Sequence, residues 1–312
     1  MAHITPDVLD RARGCLVGAA IGDAFGMALL GAARQPVGAQ VRELRRGRLA
    51  AGQFTENTGS MLAVAENWLA HGSLDAEALA KSLAAAQPGG SRGAPGAPLL
   101  GWLLGPSTPP PPAEPAPGPQ PSPADARPLV RAMPLALANI GNLFACLDEA
   151  RIQSRVTHPQ IECVAGSAFI AGTLWHLLQG MPPREAMRQA LGETGDLPEG
   201  VARSIRQAPG RMRDQLTNAS QVEPILVSVT WGFLTTVSFT EAVTRVANLG
   251  GDAATAAALV GGLGGAAYRY CGIQADWRLQ VHGTWPQRGG RLWRAQDLLE
   301  LADRLLQTAR QP

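Results

Sequence analysis

Asp252 follows two glycines and opens an alanine-rich run, in Leu249-Gly250-Gly251-Asp252-Ala253-Ala254-Thr255. Paired glycines let the backbone turn tightly, and an aspartate placed there caps a helix, its carboxylate satisfying free backbone N–H groups. Asp23 interrupts the apolar stretch Gly14–Ala33, where a lone acid ties backbone groups or a neighbouring helix together. His158, in Thr157-His158-Pro159, precedes an apolar run and reads as a structural residue at a helix start. The cysteines, Cys15, Cys146, Cys163 and Cys271, lie far apart with no C-x-x-C spacing. That pattern argues against zinc and for buried free thiols in a reducing cytosol. Gly262-x-Gly264 is no dinucleotide fingerprint, because no strand precedes it.

These residues need elements to position them. With 312 residues, one large domain or two small ones fit. Hydrophobic residues make up 46% of the chain but aromatics only 5%, with 36 glycines, which points to close-packed helices with small contact residues. A formal charge of +2 gives little electrostatic pull on nucleic acid. Arg131, Arg151, Arg155 and the Arg42–Arg48 cluster are scattered without interleaved aromatics, so no nucleic-acid partner is expected.

Gly14–Ala33 lacks a basic segment before it and contains Asp23, so it reads as a buried helix, not a signal sequence. Residues 55–71 place Met61, Leu62, Ala65, Trp68 and Leu69 at helical spacing, and Leu74–Ala86 forms an amphipathic helix. Helices are expected again over Leu129–Glu149, Glu162–Gln179, Pro182–Leu191, Glu199–Gln207 and Gln296–Arg310. The run Pro224–Thr236 is β-branched enough for a strand. Ala253–Tyr268 is apolar but too short to span a bilayer comfortably, so no membrane partner is expected.

The predicted fold is all-α: one domain over 1–312, with its core at about 11–300 and a Pro/Gly-rich insertion at 87–128. Within the insertion, Pro106–Pro128 should be an extended, solvated chain, with Leu99–Leu104 docking on the body.

Three separated stretches resemble the ADP-ribosylglycohydrolase (dinitrogenase reductase-activating glycohydrolase-like) family, in order. Arg13-Gly-Cys-Leu-Val-Gly-Ala-Ala-Ile-Gly-Asp-Ala-Phe-Gly26 is similar to its opening G-x-x-x-G-x-x-x-G-D-A-x-G helix. Gly52-Gln-Phe-Thr-Glu-Asn-Thr-Gly-Ser-Met-Leu-Ala63 is similar to G-x-x-T-D-D-T-x-M-x-x-A. Val246-Ala-Asn-Leu-Gly-Gly-Asp-Ala-Ala-Thr255 is similar to A-V-N-L-G-G-D-T-D-T. Fainter echoes are Arg131-Ala-Met-Pro134, Thr157-His158-Pro159, Ile225–Phe239, which favours a buried helix there, and Ile273-Gln-Ala-Asp-Trp277.

The resemblance implies two Mg²⁺ ions in a cleft, cleaving ADP-ribosyl bonds. Magnesium is a hard ion wanting six oxygens in near-octahedral geometry, and a pair can hold a ribose and a water. Carried over, the ligand positions are Thr55, Glu56, Asn57, Asp252, Ala254 and Thr255. Glu56 keeps the charge with an added methylene, Asn57 loses it, and Ala254 has no side-chain oxygen. Four carboxylates become two against a nominal charge of +4, so the expected site is degenerate and holds at most one weak Mg²⁺ through Thr55, Glu56, Asn57, Asp252 and Thr255. Asp23, Arg131 and His158 mark the implied substrate-binding positions. The acid expected after the first helix is absent, and only Arg131 and Pro134 remain of the substrate-loop pattern G-N-G-x-x-M-R.

Three functions follow from this reading. The first is a cytoplasmic, degenerate homologue (a pseudoenzyme) that still binds ADP-ribose-like ligands or ADP-ribosylated substrates. The second is an active ADP-ribosyl hydrolase using one metal ion. The third is a non-catalytic scaffold whose Pro-rich segment recruits a partner.

Overall fold

The computed structural model describes residues 4–86, 124–286 and 289–309. The first helices are α1 (Pro6–Met27), α2 (Glu56–His71) and α3 (Ala76–Ala85). After the insertion come α4 (Arg127–Arg131), α5 (Met133–Ala138), α6 (Leu143–Arg155), α7 (Ile161–Leu178), α8 (Pro183–Thr194) and α9 (Glu199–Gln207). The last are α10 (Val222–Leu234), α11 (Phe239–Ala247), α12 (Ala253–Tyr268), α13 (Ala275–Gln280) and α14 (Ala295–Thr308). The fold is all-α, as expected. Pro224–Thr236, ambiguous by composition, lies mostly within α10.

The centre is the pair α1 and α12. Every fourth residue on one face of α1 is glycine, and a Cβ added there would collide with backbone of α12. Gly14 faces the Gly265 carbonyl, Gly18 that of Gly261, Gly22 that of Ala257 and Gly26 that of Ala253. The descending partner numbers make the helices antiparallel. Glycines at 261 and 265 return the contact onto Gly18 and Gly14. Side chains on the remaining faces are buried by α11, α14 and α7. Phe25 and Phe239 both pack on Trp277, with ring centroids 5.1 and 6.2 Å away. Arg11 donates to the carbonyls of Ala266 (3.0 Å) and Ala267 (3.2 Å), placing a cation at the C-terminal end of α12, where the helix dipole favours one. Arg13 forks onto Asp303 of α14 at 2.8 and 2.6 Å.

Because the pair is antiparallel, the end of α1 lies beside the start of α12. Asp23 and the Asp252–Thr255 turn are thereby neighbours.

One element was not foreseen. His282–Trp285 and Arg291–Arg294 form an antiparallel hairpin, β1 and β2, with His282 opposite Arg294. Its four-residue strands carry too little alternation to register in a sequence. Two further points differ from expectation. An extended chain was expected through Pro128, whereas Arg127 with Pro128 opens α4, where proline suits a first helical turn. Cys271 is exposed, whereas Cys15, Cys146 and Cys163 are buried. Leu99–Leu104 and the proline run at 106–123 lie outside the described residues. Among the described residues, Ile161–Leu178 is the one helix long and apolar enough to cross a membrane, and 83% of it is buried within the fold.

Candidate functional site

The start of α2 is fixed first by the hairpin. Phe54 N–H donates to the His282 carbonyl and His282 N–H to that of Gly52, each at 2.9 Å. Gly59 leaves room for the Trp285 ring. Thr55 then caps α2, accepting from Asn57 N–H at 3.2 Å.

Beneath the cap sits Asp23, which is 0% exposed. Its carboxylate accepts from Thr55 N–H (2.8 Å), Thr55 Oγ1 (2.7 Å), Thr58 N–H (3.1 Å) and Thr58 Oγ1 (2.7 Å). Burial raises the Asp23 pKa, and these four bonds oppose the rise. Asn57 adds a longer contact, its Nδ2 lying 3.4 Å from Asp23 Oδ1.

The facing turn is held as firmly. Gly250 (φ 73°) and Gly251 (φ 60°) occupy the left-handed region that glycine tolerates. Asn218 receives Asp252 N–H on its carbonyl (2.6 Å) and donates its amide to the carbonyls of Val246 (2.9 Å) and Gly250 (3.0 Å). Asn248 exchanges bonds with Val41, at 2.8 and 2.9 Å. Asp252 caps α12, accepting from Thr255 N–H at 3.3 Å. Burial pushes its pKa up to about 6, opposed by the bonds to Thr255. The two starts meet where Asn57 Nδ2 lies 3.4 Å from Thr255 Oγ1.

Two further charged residues join this junction. Ala126 N–H bonds the Ser220 carbonyl (3.0 Å) and Val222 N–H that of Ala124 (2.9 Å), clamping the segment before α4 to the start of α10. Asp125, held between them, accepts from Arg127 N–H (2.8 Å) and Nε (2.9 Å). Arg127 Nη1 reaches Glu56 Oε1 at 3.4 Å. Burial pushes Glu56 up to about 7; Arg127 opposes the rise, and the charges of Asp23 and Asp125 add to it. Asp252 senses the same Asp125 and Arg127. Burial thus makes both carboxyl groups easier to protonate than free acids. Ionised, they can accept hydrogen bonds from sugar hydroxyls.

The sequence-predicted residues fall into two layers. Thr55, Glu56, Asn57, Asp252 and Thr255 stand at the junction, with Asp23 behind them. Arg131 and His158 are engaged within the protein. Arg131 donates to Gln153 Oε1, to the Gln153 carbonyl (2.9 Å) and to Thr157 Oγ1, and burial lowers it to about 9. His158 Nδ1 lies 2.8 Å from the Thr157 hydroxyl. Burial, reinforced by Arg131, depresses the His158 pKa. Sequence reasoning missed Asp125, Arg127 and Asn218. The first two are the charges that reappear as the proline-rich composition ends, the one signal that could have marked them.

Comparison with known proteins bears on what the junction is for. A family model described as ADP-ribosylglycohydrolase matches residues 4–312. The chain belongs to the ADP-ribosylglycohydrolase family. It is similar to the ADP-ribosylarginine hydrolase Tri1 of Pseudomonas putida (strain GB-1), 29% identical over 96% of this chain and 81% of that protein. The protein of the same name from Serratia proteamaculans (strain 568) is 27% identical over 86% of this chain and 74% of its own length. A solved structure titled "ADP-ribosylglycohydrolase-related protein complex" shares the fold, with a TM-score of 0.74 at 23% identity, covering 98% of this chain and all of that one.

The family implies a metal pair, and the side chains of the junction do not fit one. The amide nitrogen of Asn57, not its oxygen, faces Thr255 and Asp23. Thr55 Oγ1 is committed to Asp23 and to its own helix. Residue 254 is alanine. A guanidinium, that of Arg127, contacts the Glu56 carboxylate. Among the described residues, no three His, Cys, Asp or Glu side chains gather closely enough to hold an ion.

Proposed function

We propose that this member of the family keeps a recognition site for ADP-ribose-like ligands while its Mg²⁺-dependent hydrolysis of ADP-ribosyl bonds is weakened or lost. The observation that carries the reading is the Asn57–Thr255 contact. Across the junction where the family resemblance places metal ligands, an amide N–H meets a hydroxyl at 3.4 Å, and the neighbouring Ala254 supplies no oxygen. Recognition is supported by what is retained. The Gly250-Gly251 turn, the capping aspartate and the Thr55 cap are all built and braced by buried bonds. The names of the similar Tri1 proteins make ADP-ribosylated arginine the first ligand to try.

The test is hydrolysis of ADP-ribosylarginine by the unmodified chain, with and without EDTA, beside calorimetric binding of free ADP-ribose. Binding without turnover is the expected outcome. Clear EDTA-sensitive hydrolysis would replace this reading with the one-ion hydrolase, for which Asp125 offers a rebuilt carboxylate. Neither binding nor turnover would leave the scaffold reading.

A further inference from the structure

At the junction two carboxylates share one guanidinium. Glu56 and Asp125, from separate segments, both meet Arg127, and the charges of Asp23 and Asp125 act on Glu56. Carboxylates gathered in a partly shielded place repel one another and call for a cation. Among the described residues, Arg127 is the cation in contact with Glu56 and Asp125, donating Nε to Asp125 at 2.9 Å and reaching Glu56 at 3.4 Å. Its side chain is 21% exposed, Glu56 17% and Asp125 19%, so the pairing is largely withdrawn from solvent. The start of α4 holds Arg127 there, since Asp125 also accepts its backbone N–H. Asn57, only 1% exposed, leaves its Oδ1 without a hydrogen-bond partner beside this cluster.

We infer that the Arg127 guanidinium is the resident cation of this site, taking the electrostatic place of a divalent metal and excluding one from it. The argument is chemical. A guanidinium is always charged and presents a planar fork of donors that matches carboxylates. Held on Asp125, it brings fixed positive charge against Glu56, one of the oxygens a metal would need. A divalent ion entering beside it would meet a like charge at close range in a medium less screening than water. Removing the guanidinium leaves Glu56 and Asp125 without their shared cation, near the free amide oxygen of Asn57, and hard oxygens of that kind attract a divalent ion. The inference rests on the proposed loss of metal dependence but is tested separately from it.

The probe is Mn²⁺ alone, followed by electron paramagnetic resonance with the full chain and no nucleotide present. Wild type is expected to leave added Mn²⁺ free. Arg127→Gln should bind Mn²⁺ at least about tenfold more tightly, because one like charge is gone. Arg127→Lys, which keeps the charge, should remain as silent as wild type. Mn²⁺ bound by wild type, or by the lysine variant, overturns the inference. So does a folded glutamine variant with no gain. Should Arg127→Gln fail to fold, Arg127→Met, which also removes the charge, must show the same gain, and its absence overturns the inference. ADP-ribose binding and EDTA-sensitive turnover, measured on wild type, judge the proposed function independently. Mn²⁺ bound without turnover sinks the resident cation and leaves that reading in place.

Discussion

The Asn57 side-chain amide reaches the Thr255 hydroxyl across 3.4 Å, joining residues 198 positions apart. Neither partner is an acid, so the meeting point of two helix starts is neutral where the family resemblance implies charge. Restoring charge is therefore informative. The triple variant Glu56→Asp, Asn57→Asp, Ala254→Asp should gain Mg²⁺ affinity, because hard oxygens return to one junction. Calorimetric titration reads this, and affinity no higher than wild type would count against the site as located. Hydrolysis need not return with it, since the acid after the first helix and the G-N-G of the substrate loop remain absent.

Asp23 should behave as a positioning residue. Its carboxylate takes four bonds from Thr55 and Thr58. Asp23→Ala would strand those donors in a dry interior, at about 1–3 kcal/mol for each one left unsatisfied. Asp23→Asn keeps the shape but turns one acceptor into a donor. The alanine variant should melt well below the asparagine variant, and both below wild type, by thermal denaturation. Equal melting temperatures for the two variants would show that the bonds to Thr55 and Thr58 matter little.

The glycine-lined contact predicts a steep local penalty. Gly22→Ala drives a methyl group into the Ala257 carbonyl, so α1 and α12 must separate or bend. Overpacking of this kind costs roughly 1–3 kcal/mol, and more where backbone must move. Gly38→Ala is the control, because among the described residues no atom beyond its chain neighbours lies within 4 Å of the added carbon; its effect should stay within about 0.5 kcal/mol. Urea unfolding of the pair measures the contrast. Similar midpoints would mean that the helices do not touch as described.

Acid should weaken the protein partly through His158. Burial and the charge of Arg131 depress its pKa below the ordinary 6.5. The folded state then favours the neutral ring, while the unfolded chain binds more protons as pH falls below 6.5. The stabilising contribution is present in full above that value and is lost as pH falls toward the folded pKa. Melting temperatures of wild type and His158→Gln, compared from pH 7 downward, should converge in acid. A constant gap would show that His158 does not titrate in this sense.

The architecture was legible wherever a pattern repeats over several turns. Ala253–Tyr268 was bounded correctly because glycines precede it and Asp252 caps it. The helical reading of 55–71 lay within one residue of α2 for the same reason, with Thr55 as its cap. The hairpin was not legible, since four residues cannot establish a period of two. Of the junction, Asp252, Thr255 and the Thr55–Asn57 segment were found through motif order. Asp125 and Arg127 were not, because they follow the proline-rich run and were grouped with it. Their importance comes from Ser220 and Val222, nearly a hundred residues on, and no local pattern carries that information. Arg131 was identified through a fragment of a loop pattern, yet its guanidinium is taken up by Gln153 and Thr157.

Synthesis imposes its own order on the central helix pair. On the ribosome α1 emerges well before α12, the partner that covers its glycine face, which begins only at Ala253. At about 5–20 residues per second, the more than two hundred residues between them take on the order of ten to forty-five seconds. Throughout that interval the glycine face of α1 lacks the helix that covers it in the fold, and it is a natural client for a chaperone. Asp23 waits just as long beside an absent α12, so the junction forms among the last features of the newborn protein. A ribosome stalled before residue 253 would release a chain whose first helix lacks its main partner and whose site lacks one side.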